Sequence, residues 1–111
     1  MVWEVRETDV QELATAQRSG ALVVDVRQLS EYVDGHVPGA KLMPLRELAS
    51  RIDELPRGQR VYVICASGNR SRSATAALAA AGRDAVSVSG GTRAWIASGR
   101  AVVRGPHENA A

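Results

Sequence analysis

The chain has one cysteine, Cys65, in 111 residues. A lone cysteine cannot close an internal disulfide, which suits a reducing compartment. With only two histidines, His36 and His107, far apart in the chain, a zinc site is disfavoured. Aromatic residues are scarce, at 4%, and the arginines are spread rather than gathered into a block. The basic stripe with interleaved aromatics that marks nucleic-acid binders is missing, so no nucleic-acid partner is expected. No apolar run approaches the roughly 20 residues of a membrane-spanning helix. The first residues, MVWEVRETDV, lack the basic start and apolar core of a secretory signal. The expectation is a cytoplasmic protein with no membrane partner. No internal repeat, low-complexity tract or linker interrupts the chain.

What is present suits one globular domain over residues 1–111. The apolar fraction is 45%, the charged fraction 23% and the formal net charge +2. Such a chain buries one core and is too short for two.

Short apolar runs alternate with helix-like segments. VWEVR (2–6) reads as a short edge strand. Thr8 and Gln11 then have capping-box spacing, followed by Val10, Leu13 and Ala14 at helical intervals and a stop at Gly20. ALVVDVR (21–27) is a continuous β-branched run, as in a strand covered on both faces. A helical turn follows, then a loop punctuated by Gly35, Pro38 and Gly39. AKLMPL (40–45) reads as a third strand. Pro44 opens a helix with Leu45, Leu48, Ile52 and Leu55 on one face, closed by Pro56 and Gly58. RVYVIC (60–65) is the second strong strand. Residues 70–81 read as a helix with Ala74, Ala77, Leu78 and Ala81 inward. AVSVS (85–89) is a fifth strand and GGTRAWIASG (90–99) a last short helix. The tail AVVRGPHENAA is expected to be ordered only in its first half. This alternation predicts an α/β fold in three layers, α/β/α, around a mostly parallel five-stranded sheet.

Cys65 ends the run RVYVIC and is followed by Ala66, Ser67, Gly68, Asn69, Arg70 and Ser71. An isolated cysteine in apolar surroundings is commonly a small core residue. Here its position argues for more. Open α/β sheets bind ligands beyond the carboxyl ends of their strands. A loop of small residues aims several backbone N–H groups at one point, and a helix N-terminus and Arg70 add positive potential. Each stabilises an anion at the loop centre, whether a thiolate or an anionic sulfur carried by it. Cysteines in such settings fall from a pKa of about 8.5 to as low as about 3.5–7.5. The reading is an activated nucleophile.

Three segments carry a resemblance to a known family: DVRQLSEYVDGHVPGAKLMP (25–44), VICASGNRS (63–71) and SGGTRAWIASG (89–99). In this order and spacing they resemble the rhodanese family, specifically a single-domain rhodanese-like sulfurtransferase, over about residues 8–104. The resemblance implies a five-stranded parallel sheet flanked by helices and transfer of a sulfane sulfur. Cys65 would take sulfur from thiosulfate or a persulfide donor, form a persulfide and pass the sulfur to a thiophilic acceptor. That acceptor is cyanide in the test tube or a thiol in the cell, such as glutathione, thioredoxin or a protein partner. Backbone N–H groups of residues 66–70 would cradle the outer sulfur, and no metal or organic cofactor is implied.

Loop length separates the relatives. Phosphatases of the cell-cycle type and related arsenate reductases carry Cys-x5-Arg, whereas Arg70 follows Cys65 by four intervening residues. The shorter loop suits a single sulfur atom. Members specialised for thiosulfate often carry basic residues just after the cysteine; this chain has Ala66 and Ser67. A persulfide donor, and a role as a persulfide-carrying module for a partner protein, stay open.

Other residues are weaker candidates. Asp25 and Arg27 end a strand on the same sheet edge and either shape the pocket or form a structural ion pair, the preferred reading. Trp95 either walls the pocket or packs in the core. His36 invites a general-base role but reads as a satisfied turn histidine, and His107 as a solvated tail residue. Arg72 either adds positive field at the entrance or decorates the helix surface.

Overall fold

The computed structural model describes residues 4–109. Its strands are β1 (Glu7–Thr8), β2 (Leu22–Asp25), β3 (Lys41–Leu42), β4 (Val61–Ile64) and β5 (Ala85–Val88). Its helices are α1 (Val10–Arg18), α2 (Leu29–Asp34), α3 (Leu48–Arg51), α4 (Asn69–Ala80) and α5 (Gly91–Ala97). The strands form one parallel sheet in the order β1-β5-β4-β2-β3, which makes β4 central.

The β-branched runs behave as their burial requires. All four residues of β4 and of β5 are buried, as befits strands with helices on both faces. Side chains alternate between two cores. Val61, Val63 and Cys65 join Val24, Val26, Met43, Leu48, Ala74 and Leu78 on one face. Tyr62 and Ile64 join Leu13, Val23, Val88 and Trp95 on the other. The period-2 rule thus puts the Cys65 side chain on the face that carries α4.

Several local expectations shift. The edge strand lies at Glu7–Thr8, not at 2–6; residues 2 and 3 lie outside the described residues, and 4–6 are not strand. Because Thr8 belongs to that strand, the cap of α1 passes to Asp9, whose carboxylate accepts from the Glu12 N–H at 2.9 Å. The 45–55 segment is not one helix. It is α3 flanked by 3-10 turns at Leu45–Glu47 and Ile52–Glu54, yet Leu45, Leu48, Ile52 and Leu55 all pack on the core as their spacing predicted. Helix α4 starts at Asn69, and its buried stripe is Ser71, Ala74, Thr75 and Leu78; Ala77 is exposed.

The tail is held well beyond its first half. Val103 pairs with His36 in both directions at 2.9 Å, the Gly105 N–H reaches the Val33 carbonyl, and the Gly39 N–H reaches that of Glu108. These bonds staple the tail across the 35–39 turn. No described helix is long and apolar enough to cross a membrane.

Candidate active site

Strand β4 ends at Ile64, so Cys65 is the first residue past the carboxyl edge of the central strand. Gly68 makes the turn into α4, with φ +115°, a conformation side chains disfavour. The turn brings the Gly68 N–H to 3.0 Å from Cys65 Sγ. The Ser71 hydroxyl lies 3.4 Å from the same sulfur. Burial pushes the Cys65 thiol up, but bonds from the Ser71 hydroxyl and the N–H groups of Ser71, Gly68 and Ser67 outweigh it, and the net direction is downward. Backbone N–H groups and the Ser71 hydroxyl thus converge on the sulfur.

The loop is fixed from a second side. The Thr92 N–H and hydroxyl both donate to the Cys65 carbonyl, at 2.8 and 3.0 Å, and the Arg93 N–H donates to the Ala66 carbonyl. Gly91 makes room for this contact. A Cβ there would stand 2.5 Å from the Cys65 carbonyl oxygen, so a side chain is excluded.

Arg70 is placed differently from the sequence expectation. Its guanidinium grips the Glu31 carboxylate of α2 in a two-pronged bond of 2.7 and 2.8 Å. That bond, with help from the Gln28 N–H, holds the Glu31 carboxyl down to about 2 against the opposing effect of burial. Arg70 therefore ties α4 to α2 at the rim, and Glu31 balances the charge that the sequence assigned to the loop centre.

Cys65 itself is only 1% exposed. Two recesses flank its loop. One, of about 290 Å³, is lined by Val26, Gln28, Pro44, Leu45, Arg46 and Arg70. The other, of about 270 Å³, includes Ala66 with Arg27, Glu31, Thr92, Arg93 and Ile96. Ser67 and Asn69 are exposed at the loop surface.

The remaining candidates separate. Asp25 and Arg27 form a buried ion pair at 2.8 Å, and Arg27 also donates to the carbonyls of Gly35 and Glu31. The pair fastens β2 to the α2 turn, although Arg27 also borders the second recess. Trp95 does not wall the Cys65 pocket. It packs in the core of the opposite face, donates to the Ala101 carbonyl at 2.8 Å, and borders a separate cleft with Ala14, Ala21, Pro38 and Arg100. His36 is fully buried, stacked on Tyr32, with its ring nitrogens at the Tyr32 and Glu108 carbonyls. It organises the turn and lies among no reacting groups. Arg72 pairs with Glu7 of β1 rather than facing the entrance. His107 is exposed.

Three neighbours of Cys65 were not singled out in the sequence. Thr92 and Gly91 lie in the quoted glycine segment, but their roles depend on which backbone atoms that segment meets. Ser87, fully buried on β5, sits 2.8 Å from the Ser71 hydroxyl. A serine in a strand otherwise made of Ala and Val was the signal for it.

The fold and site define a class: a parallel α/β domain with a thiol at the end of its central strand, held by backbone donors. The chain belongs to the Rhodanese-like domain family, which matches residues 9–98. A thiosulfate sulfurtransferase, GlpE, of Pseudomonas putida is 35% identical, over 79% of this chain and 81% of its own length. A candidate sulfur carrier protein of Bacillus subtilis, YrkF, is 36% identical over 66% of this chain; the match spans 40% of that longer protein. The crystal structure of a rhodanese-related protein from Thermoplasma volcanium superposes with a TM-score of 0.84 at 34% identity, covering 88% of this chain and 97% of that one.

Proposed function

We propose that the protein transfers sulfane sulfur through a persulfide on Cys65. The Cys65 thiolate attacks the outer sulfur of the donor, thiosulfate or a persulfide. The donor's S–S bond breaks, and sulfite or a thiolate leaves with the electron pair. An acceptor thiolate, or cyanide in vitro, then attacks the outer sulfur of the persulfide, and the Cys65 thiolate is regenerated. Kinetics of this kind are ping-pong. In the loaded state the N–H groups of the loop hold the anionic outer sulfur as an oxyanion hole holds oxygen.

One observation carries this reading: the Gly68 N–H points at Cys65 Sγ, while Arg70 is occupied by Glu31. Phosphoryl chemistry would need that guanidinium on the substrate oxygens. A cradle of backbone N–H groups with its arginine engaged elsewhere fits one sulfur atom better than a tetrahedral oxyanion. Thiocyanate formation from thiosulfate and cyanide, set against hydrolysis of an aryl phosphate, tests the choice. Thiocyanate without hydrolysis is expected; the reverse would favour the phosphatase and arsenate reductase relatives.

A second reading is a persulfide carrier that serves a partner protein. The sequence has no second cysteine to take the sulfur from Cys65, and Ala66 and Ser67 stand where thiosulfate specialists carry basic residues. Its sign would be loading by a persulfide donor with slow turnover of thiosulfate.

A further inference from the structure

Ser71 Oγ has one proton and three neighbours within reach: Cys65 Sγ at 3.4 Å, the Gly68 carbonyl at 3.1 Å and Ser87 Oγ at 2.8 Å. Ser71 and Ser87 are both fully buried. Among the described residues Ser71 is the single partner of the Ser87 hydroxyl. If Ser71 donated to Ser87, the Ser87 proton would be left without an acceptor, a costly state for a buried hydroxyl. The counting therefore fixes the direction: Ser87 donates to Ser71. Ser71 keeps its own proton for one of two acceptors. With Cys65 as a thiol, the S–H donates to Ser71 Oγ and Ser71 donates to the Gly68 carbonyl. With Cys65 as a thiolate, the Ser71 proton turns to the sulfur. Ser87 supplies a bond to Ser71 Oγ in both states, and that bond polarises the Ser71 O–H toward the anion.

We propose that Ser87 is a positioning residue for the Cys65 nucleophile, acting through Ser71 as the buried end of a Ser87–Ser71–Cys65 hydrogen-bond chain. The inference rests on Cys65 being the reacting thiol. Its readout, alkylation of that thiol, does not require sulfur transfer, so the two fail separately.

The test follows the pH dependence of Cys65 alkylation by iodoacetamide in the wild type, Ser87→Ala, Ser71→Ala and the double variant. Ser87→Ala is expected to raise the alkylation midpoint by roughly half to one pH unit, the scale of one hydrogen bond felt at second hand. Below the midpoint the rate should fall roughly three- to tenfold, and it should recover at high pH. The double variant should shift no further than Ser71→Ala, because Ser87 has no route to the sulfur without Ser71. Ser87→Thr, which keeps the hydroxyl, should restore the wild-type midpoint. An unchanged midpoint in Ser87→Ala, or additive shifts in the double variant, would overturn the proposal. Should Ser87→Ala not fold, proton NMR of the wild type decides. The buried Ser87 hydroxyl resonance must move with the Cys65 titration, and a resonance indifferent to it contradicts the chain.

Discussion

Arg70 holds Glu31, 2.7 and 2.8 Å through two parallel bonds, across the gap between α4 and α2. The arginine at the end of the Cys65 loop thus bonds to the wall of that loop, while its charge also acts on Cys65. Glu31→Gln should leave Cys65 open to alkylation but loosen the loop. In a double-mutant cycle with Arg70→Gln the coupling should be about 0.5–1 kcal/mol, the range of half-exposed pairs, measured by denaturant unfolding. Arg70→Lys, which loses the fork, should behave more like the glutamine variant than like wild type.

The same pair predicts an acid dependence. The folded Glu31 carboxyl is held down to about 2, from an ordinary 4.5. A depressed carboxyl stabilises the fold in full above its unfolded value and loses that contribution as pH falls through the folded value. The contribution should therefore fade between about pH 4.5 and 2 and be absent from Glu31→Gln. Unfolding midpoints of the two proteins should converge over that window. Parallel curves would contradict the assignment.

Gly91→Ala tests the second anchor of the loop. The new Cβ would meet the Cys65 carbonyl oxygen at 2.5 Å and the Ala66 backbone at 2.7 Å, at a φ of +58°. The added methyl should cost about 1–3 kcal/mol in stability, in line with overpacking elsewhere. It should also cut the rate of Cys65 alkylation, by displacing the sulfur from the Gly68 N–H. Measuring both separates a displaced loop from a generally weakened fold, since weakening alone would open the buried Cys65 thiol more often and speed its alkylation rather than slow it.

Thr75 lies one turn beyond Ser71 on α4, buried, with a hydroxyl that finds no partner among the described residues. Valine has the same shape without the polar group. Thr75→Val should stabilise the protein by about 1 kcal/mol, the penalty of an unpaired buried hydroxyl, read from denaturant unfolding. A loss of stability instead would mean that the hydroxyl is bonded in solution.

The sequence made the framework legible because its signals were local. Apolar runs rich in β-branched residues located β2, β4 and β5, and the end of the run RVYVIC put Cys65 at the carboxyl edge of the sheet. What escaped it depended on contacts between distant segments. Thr8 looked like a helix cap but was claimed by pairing with β5. Arg70 looked like a loop charge because the sequence does not show that Glu31, 39 positions away, lies within reach. Trp95 sat in a segment shared with loop-holding residues, yet it packs with Leu13, Val23 and Ile64 in the opposite core, a contact between distant segments. The tail looked loose because its polar composition hides its backbone bonds to the 35–39 turn.

The measurement closest to the central claim is intact mass. Reduced wild-type protein and Cys65→Ser are each incubated with thiosulfate or with a persulfide donor, weighed, then treated with cyanide. The account predicts a gain of roughly one sulfur, about 32 Da, on the wild type alone, removed by cyanide as ping-pong transfer requires. If neither donor adds mass while iodoacetamide still alkylates Cys65 in the same sample, the thiol is present and reactive but carries no sulfur, and the proposed function is wrong.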